Sequence, residues 1–315
     1  MSIFRIHHIT KYEYDRPVKE SVNDIKIFPY QTPDQETLEH QLLITDDPEV
    51  HTYTDYWGNK SGTFNLLSPH REMIIESKLI IRTLAQPEMK TPIASYIQEL
   101  DSFIGNDLQL LELSRASPVN AMHLMEEYIT ELAPNNKSIL EIVQDTCSFI
   151  FTHFTYIKGI TTIESTVDEI LEKQAGVCQD FAHVMLELLR MMGIPSRYVS
   201  GYICPNKNGM RGEGATHAWV EAYIPHFGWA GIDPTNNVWV TNTHVKLAVG
   251  RNFENCSPVK GTFKGPARQS LSVYVSVGYE DGVTFEELTS VQLEKQEGNE
   301  VEEIIIDTFV GQQQQ

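Results

Sequence analysis

The feature that most constrains the fold is one strongly amphipathic helix that begins at a glycine–cysteine segment. The stretch GVCQDFAHV (176–184) contains its start, and Gly193 ends it. After Cys178, apolar residues recur at the spacing of a single helix face: Phe181, Val184, Met185, Leu188, Leu189 and Met192. A stripe this wide has to pack against another layer, so the sequence predicts a core helix.

Stretches that alternate between apolar and polar residues lie on both sides of this helix. Before it, residues 4–14 and 76–84 indicate strands, and Gly58-Asn59 within 55–64 indicates a hairpin. After it, alternation returns in four segments: 197–203, 217–224, 228–233 and 271–277. Helical spacing fills the middle, where Ser138 precedes one helix and Ser165 with Asp168 resembles a capping box. The order predicts an α+β fold rather than alternating strands and helices.

Composition shifts suggest where the domains end. Residues 85–92 hold two prolines and no periodicity, which is typical of a linker. We therefore expect a β-rich N-terminal domain over 1–88 and a second domain over 92–280. Residues 281–315 form an acidic C-terminal extension with nine acidic residues and one lysine, in which 300–310 could add a strand.

Charge and cysteine use narrow the functional classes. A net charge of −19 argues against nucleic-acid partners and against anionic membrane surfaces, both of which call for basic patches. The N-terminus carries Arg5 and Lys11 where a signal peptide would be apolar, and no stretch is long and apolar enough for a membrane span. The four cysteines have no CxxC spacing, so we expect a reducing, cytoplasmic location.

Cys178 is a candidate nucleophile. It lies where free N–H groups and the helix dipole favour a thiolate, and the apolar stripe is complete without it. The alternative is a buried cysteine that packs at a helix start. His183 is five residues along the same helix, about 140° around the axis, and is interpreted as a packing residue.

His217 is a better candidate base, and Asp233 follows it. His217 begins a predicted strand whose small apolar face can pack on the helix, while the opposite face could border a cleft. After the turn at 225–228, the next strand ends at Asp233, so antiparallel pairing places this carboxylate near His217. A carboxylate there could orient the imidazole and stabilise its charged form. Taken singly, the histidine could be structural and the aspartate a turn former.

The chain resembles the transglutaminase-like superfamily of cysteine enzymes. The resemblance rests on residues 176–203 and 216–237, on HVKLAVGRNFENCSPVKGTFKG (244–265), and on FRIHHITKYEYDRPV and DYWGN in the first 85 residues. It implies a papain-like core in which Cys178 is the nucleophile, His217 the base and Asp233 the orienting acid. It departs at Arg251-Asn252-Phe253, where the bacterial branch often has Arg-Asp-Tyr.

The resemblance also implies a reaction class. The thiolate would attack a carboxamide of a peptide or protein and form a thioester, with the Cys178 N–H as one oxyanion donor. Hydrolysis by a cysteine protease or amidase is favoured, with amine transfer or a non-catalytic binding module as alternatives. Tyr156 and Gln174 are candidates for the second oxyanion donor.

Three aromatic residues could bind substrate. Trp219 and Trp229 could line the acyl site or belong to the core, and Tyr156 could also contact substrate. His7, His8 and the scattered acidic residues lack the spacing of metal ligands, and no glycine-rich phosphate loop is present, so we expect no metal and no cofactor. The sequence leaves the oligomeric state open.

Overall fold

The computed structural model describes residues 2–84, 95–132, 136–204, 210–212, 215–279, 284–293 and 306–310. The predicted linker at 85–92 lies outside the described residues, as does part of the predicted extension. The expected limits of the domains therefore stay predictions.

The N-terminal region contains five antiparallel strands, β1 (Ser2–Ile25), β2 (Gln35–Ile44), β3 (His51–Thr54), β4 (Lys60–Leu66) and β5 (His70–Thr83). The strands predicted at 4–14 and 76–84 are confirmed, within β1 and β5. The predicted hairpin is also confirmed, since β3 and β4 flank a turn at 55–59. In this turn the Asp55 carboxylate accepts the backbone N–H groups of Trp57 and Asn59, both at 2.9 Å.

Six helices follow in the described part of the chain: α1 (Ile97–Ile104), α2 (Leu108–Leu113), α3 (Met122–Leu132), α4 (Ile139–His153), α5 (Val167–Lys173) and α6 (Cys178–Met191). A short parallel pair, β6 (Thr155–Tyr156) and β7 (Ala175–Gly176), lies just before α6. The amphipathic helix is thus confirmed. It ends at the predicted glycine, because Gly193 adopts φ +77° and its N–H caps the Arg190 carbonyl.

The predicted capping box of α5 is wrong by one residue. Thr166, not Ser165, caps the helix: its hydroxyl accepts the Glu169 N–H, and the Glu169 carboxylate accepts the Thr166 N–H. The Asp168 carboxylate instead accepts the N–H groups of residues 120 and 121. Asp168 therefore does not form a capping box with Ser165. Its carboxylate instead joins α5 to the segment just before α3, which is distant in the sequence.

The central sheet has five antiparallel strands, β8 (Ser196–Ile203), β9 (Thr216–Ile224), β10 (Gly228–Asp233), β11 (Val238–Trp239) and β12 (His244–Gly250), in the order β11-β10-β9-β8-β12. The small residues of β9 pack with the apolar stripe of α6 in one core: Ala218, Val220, Ala222 and Ile224. The α+β prediction is confirmed, with the helix that begins at Cys178 packed on an antiparallel sheet.

The sequence suggested that the opposite face of this sheet borders a cleft. In the structure this face is covered. Trp219, on that face, is fully buried against Tyr30 and Trp57 of the N-terminal region. The Asn59 amide fixes the contact, donating to the Val249 carbonyl at 2.7 Å and accepting the Val249 N–H at 2.8 Å. The connections between the N-terminal strands therefore cover the face that would otherwise be open.

After helix α7 (Phe253–Cys256), the chain returns to the N-terminal strands through β13 (Val259–Lys264), β14 (Gln269–Tyr279), β15 (Thr284–Leu293) and β16 (Ile306–Val310). The strand predicted at 271–277 is confirmed in β14, and its partners are β1 and β15. β13 pairs with β1 and β16. Both ends of the chain thus contribute to one sheet.

Candidate active site

His217 and Asp233 form a buried ion pair on neighbouring strands of the central sheet. His217 is the second residue of β9 and Asp233 the last of β10, and pairing of Ile232 with Val220 brings the two together. His217 Nε2 lies 2.9 Å from Asp233 Oδ2, and both side chains are fully buried. The proximity predicted from the strand order is therefore confirmed.

The electrostatics of the pair favour a charged imidazole. Burial lowers the pKa of His217, but the charge of Asp233, the Cys178 thiol and hydrogen bonds to both raise it to about 10. Burial raises the pKa of Asp233, whereas the charges of His217 and His244 and hydrogen bonds to both histidines lower it far below its ordinary range. At neutral pH the pair is imidazolium and carboxylate.

Cys178 is the first residue of α6. From this position its side chain interacts with the His217 ring, through a hydrogen bond and through its charge. Because Nε2 of His217 is bound to Asp233, Nδ1 is the ring nitrogen that remains for the thiol. The Cys178 side chain is almost fully buried, at 1% exposure. The structure thus brings the three predicted catalytic residues together in one enclosed place.

A glycine precedes the cysteine because an aspartate folds back over it. The Asp180 carboxylate, in the first turn of α6, accepts the Val177 N–H at 2.8 Å and the Thr161 hydroxyl at 2.6 Å. A Cβ on Gly176 would lie 2.5 Å from Asp180 Oδ2. Only glycine leaves room for this cap, so the GVCQD segment is built around the start of the helix.

The sequence analysis missed two side chains that contact the Asp233 carboxylate. Asn236 Nδ2 donates to Asp233 Oδ2 at 2.8 Å, and His244 Nε2 lies 3.6 Å from the same oxygen. The Thr235 N–H donates to the other oxygen, Oδ1, at 2.9 Å. Asn236 could have been found from its place three residues after Asp233 in the turn. His244 reaches the site through the pairing of distant strands, and no local pattern marks it.

A short segment also packs directly over His217. A Cβ on Gly212 would lie 2.7 Å from His217 Nδ1, and Gly212 adopts φ +81°. The preceding residue, Arg211, is tied to Asn236, which accepts the Arg211 N–H at 2.7 Å and donates to its carbonyl at 3.1 Å. The sequence analysis did not single out either residue.

The proposed substrate residues have different surroundings. Tyr156 is half-buried and pairs with Gly176, two residues before Cys178. Trp219 lies in the core, its ring centre 6.4 Å from that of His217. Trp229 packs on Tyr223 and Arg197. Of the three, Tyr156 is the one beside the nucleophile helix.

Gln174, the other candidate oxyanion donor, ends α5 in the left-handed conformation. Its amide nitrogen donates to the Tyr128 hydroxyl at 3.4 Å, on α3. Its predicted role gains no support from this contact.

The described ranges contain neither a cluster of metal ligands nor a membrane-spanning helix. There, no group of three or more histidine, cysteine, aspartate or glutamate side chains is arranged to hold a metal ion. No helix among the described residues combines the length and the apolar composition needed to cross a bilayer.

A helix-borne cysteine that acts on a His–Asp pair of an antiparallel sheet defines a papain-like class of protein. Residues 126–234 match the family profile of the transglutaminase-like superfamily, and residues 4–82 match that of the bacterial transglutaminase-like N-terminal region. An uncharacterised protein of Mycobacterium leprae is 32% identical over 280 residues, which are 87% of this chain and 97% of that one. The chain belongs to the transglutaminase-like superfamily, with the bacterial N-terminal region.

Two further comparisons concern the fold and the central segment. The crystal structure of a candidate cysteine protease from Cytophaga hutchinsonii superposes with a TM-score of 0.69 at 18% identity, covering 98% of this chain and 97% of that one. A protein-glutamine gamma-glutamyltransferase of Pseudomonas aeruginosa is 37% identical over 97 residues, 28% of this chain and 14% of that protein. The first agrees with the described fold along the whole chain.

Proposed function

We propose that the protein is a thiol-dependent acyl-transfer enzyme that acts on amide bonds of peptides or proteins. The observation that carries the proposal is the buried His217–Asp233 pair, which holds Nε2 of the imidazole and leaves Nδ1 for Cys178. Nucleophile, base and orienting acid are the parts that covalent acyl transfer requires.

In the proposed reaction Cys178 has already given its proton to His217 Nδ1, which accounts for the imidazolium of the buried pair, and the thiolate sulfur attacks the amide carbon. The tetrahedral oxyanion would be stabilised by N–H groups in the first turn of α6. His217 then protonates the leaving amine as the C–N bond breaks, leaving a thioester. Asp233 stabilises the imidazolium throughout, in keeping with the raised pKa of His217.

Hydrolysis is the favoured second half of the reaction. A water molecule gives one proton to His217 as its oxygen attacks the thioester carbon; the C–S bond then breaks, the carboxylic acid leaves, and the thiolate and the imidazolium are restored. This outcome is that of a cysteine protease or amidase, and the Cytophaga hutchinsonii protein of similar fold is a candidate cysteine protease.

Amine transfer is the second candidate. An amine would replace water as the acceptor and form a new amide. The likeness of the central segment to a protein-glutamine gamma-glutamyltransferase supports this possibility. A non-catalytic binding module is the third, and it is favoured by the near-complete burial of the Cys178 side chain.

The test is the rate at which iodoacetamide alkylates each cysteine between pH 5 and 9, read by peptide mass spectrometry. Cys147, Cys204 and Cys256 are internal controls, because burial raises the pKa of each of these thiols. We expect Cys178 to react fastest near pH 6 and His217→Ala to remove this advantage. An inert Cys178 would contradict the enzyme assignment and favour the binding module.

The products then separate the two enzymatic outcomes. Glutamine-containing peptides are incubated with the protein, with and without a primary amine, and their masses are measured. Cleaved or deamidated peptide indicates hydrolysis, and amine adducts indicate transfer. Cys178→Ala should abolish either reaction while its circular dichroism matches that of the wild type.

A further inference from the structure

Arg211 lies at the edge of the candidate active site and is held there by the residues that build it. Its backbone is bound on both sides by the Asn236 amide, which also donates to Asp233. The next residue, Gly212, packs against the His217 ring. The position of Arg211 is therefore fixed relative to the catalytic base and the orienting acid.

The Arg211 guanidinium packs against two aromatic rings. Its Cζ lies 4.8 Å from the centre of the Phe151 ring and 5.8 Å from that of Tyr156, whose strand partner is Gly176. One guanidinium nitrogen donates to the Thr235 carbonyl at 3.4 Å. Arg211 thus lies between two parts of the site. On one side is Tyr156, next to the start of α6, and on the other is the turn that follows Asp233.

No carboxylate of a described residue lies within ion-pair distance of Arg211, although the residue is half-buried. Arg190 and Arg197, in contrast, pair with the buried carboxylates of Glu187 and Glu221 at 3.0 and 2.7 Å. A partly desolvated guanidinium that has no counter-charge among the described residues gains most from a ligand that supplies one. Its planar donors suit a carboxylate, which accepts two parallel hydrogen bonds.

We propose that Arg211 is a specificity-determining residue that binds a carboxylate of the acyl donor, so that the substrates are acidic peptides. The inference rests on the proposed acyl-transfer function. Packing on Phe151 and Tyr156 orients the guanidinium, and the substrate carboxylate binds it close to the scissile amide. Arg211 takes no part in bond breaking, and it selects which amide reaches Cys178.

The acidity of the chain makes such a cation necessary. With 43 acidic and 24 basic residues, the protein as a whole repels an acidic peptide. Salt at physiological strength screens charges beyond about 8 Å, but it screens a half-buried contact much less. A local cation therefore decides the preference at the site.

The experiment uses pairs of peptidyl electrophiles that alkylate Cys178 and differ only by glutamate or glutamine at one position, moved along the peptide in a series. Second-order labelling rates are measured for the wild type, Arg211→Gln, Arg211→Glu and Arg211→Lys. Arg268→Gln is the matched control, because it removes one exposed positive charge from the turn between β13 and β14.

At one position we expect the wild type to prefer glutamate by about tenfold, the size of one charge-assisted hydrogen bond. Arg211→Gln should reduce the ratio to about one, Arg211→Glu should invert it, and Arg211→Lys should keep part of it. The Arg268→Gln ratio should equal that of the wild type. The same ratio in wild type and Arg211→Gln overturns this inference alone. Absence of His217-dependent labelling at Cys178 overturns the proposed function and this inference with it.

Discussion

At the scale of single residues, the site depends on how one carboxylate is held. Asp233 Oδ2 is close to His217, Asn236 and His244, while Oδ1 accepts the Thr235 N–H. The carboxylate therefore cannot rotate without losing several hydrogen bonds at once. Since Asp233 fixes Nε2 of His217, this restraint also fixes the direction of Nδ1 toward Cys178.

Gly212 provides a test of that direction. A methyl group at this position would lie 2.7 Å from His217 Nδ1, so Gly212→Ala should push the ring away from the thiol. Misplacement of a catalytic group by about 1 Å costs about 100-fold in rate, and we expect the pH 6 alkylation of Cys178 to slow by that order.

Gly193→Ala is the matched control for this substitution. Gly193 has a similar positive φ, +77°, and nothing within 4 Å of the added carbon. It should lose about 1–2 kcal/mol of unfolding free energy from the left-handed backbone and keep its Cys178 reactivity. Wild-type reactivity in Gly212→Ala would show that the ring position does not control the thiol.

At the scale of elements, the start of α6 determines where the nucleophile lies. Asp180 caps the helix through the Val177 N–H and also binds Thr161, which fixes the preceding loop to the helix. We expect Asp180→Ala to lower the free energy of unfolding by about 1–2 kcal/mol and to slow Cys178 alkylation, because the first turn loses its cap. Chemical denaturation and peptide mass spectrometry measure the two effects.

Ser138→Ala on α4 is the control, because Ser138 caps a helix that carries no catalytic residue. It should lower stability by a similar amount and leave the reactivity of Cys178 unchanged. If both variants slowed alkylation equally, the effect would come from lost stability and not from the position of the nucleophile.

The elements show what sequence alone could predict. The stripe of α6 and the alternation in β1 and β9 are local patterns, and His217 and Asp233 are joined by one hairpin 16 residues apart, so these were within reach. The pairing of β14 with β1 was not, because strands more than 200 residues apart find each other through complementary faces. His244 was missed because it reaches the site through the pairing of β12 with β8, and Gly212 because no local pattern marks a turn glycine that packs on a histidine five residues later.

At the scale of the whole molecule, the N-terminal strands and the central sheet share an apolar core. It combines Phe4, Ile6, Leu79 and Ile81 with Tyr202, Val245 and Leu247. One buried polar contact lies beside it, between His8 Nδ1 on β1 and the Tyr202 hydroxyl on β8, at 2.7 Å. Protonation of His8 would therefore place a charge at the buried contact between the N-terminal strands and the central sheet.

We predict that His8 makes this junction sensitive to acid. Burial, with a smaller contribution from the charge of His7, lowers the pKa of His8 from 6.5 to about 4. Between these values the unfolded chain binds a proton that the folded chain excludes. The free energy of unfolding is therefore undiminished by His8 above pH 6.5 and falls as the pH decreases toward 4. The loss due to this residue is on the order of 3 kcal/mol.

Urea denaturation of the wild type and of His8→Asn between pH 7.5 and 4.5 measures this loss. Asparagine keeps a polar group near the Tyr202 hydroxyl but does not titrate, so the variant should lose less stability on acidification. His51→Asn, at an exposed histidine of β3, should follow the wild type. Other buried histidines contribute equally to both curves, so their difference isolates His8. Parallel curves for the wild type and His8→Asn would mean that the junction tolerates the charge.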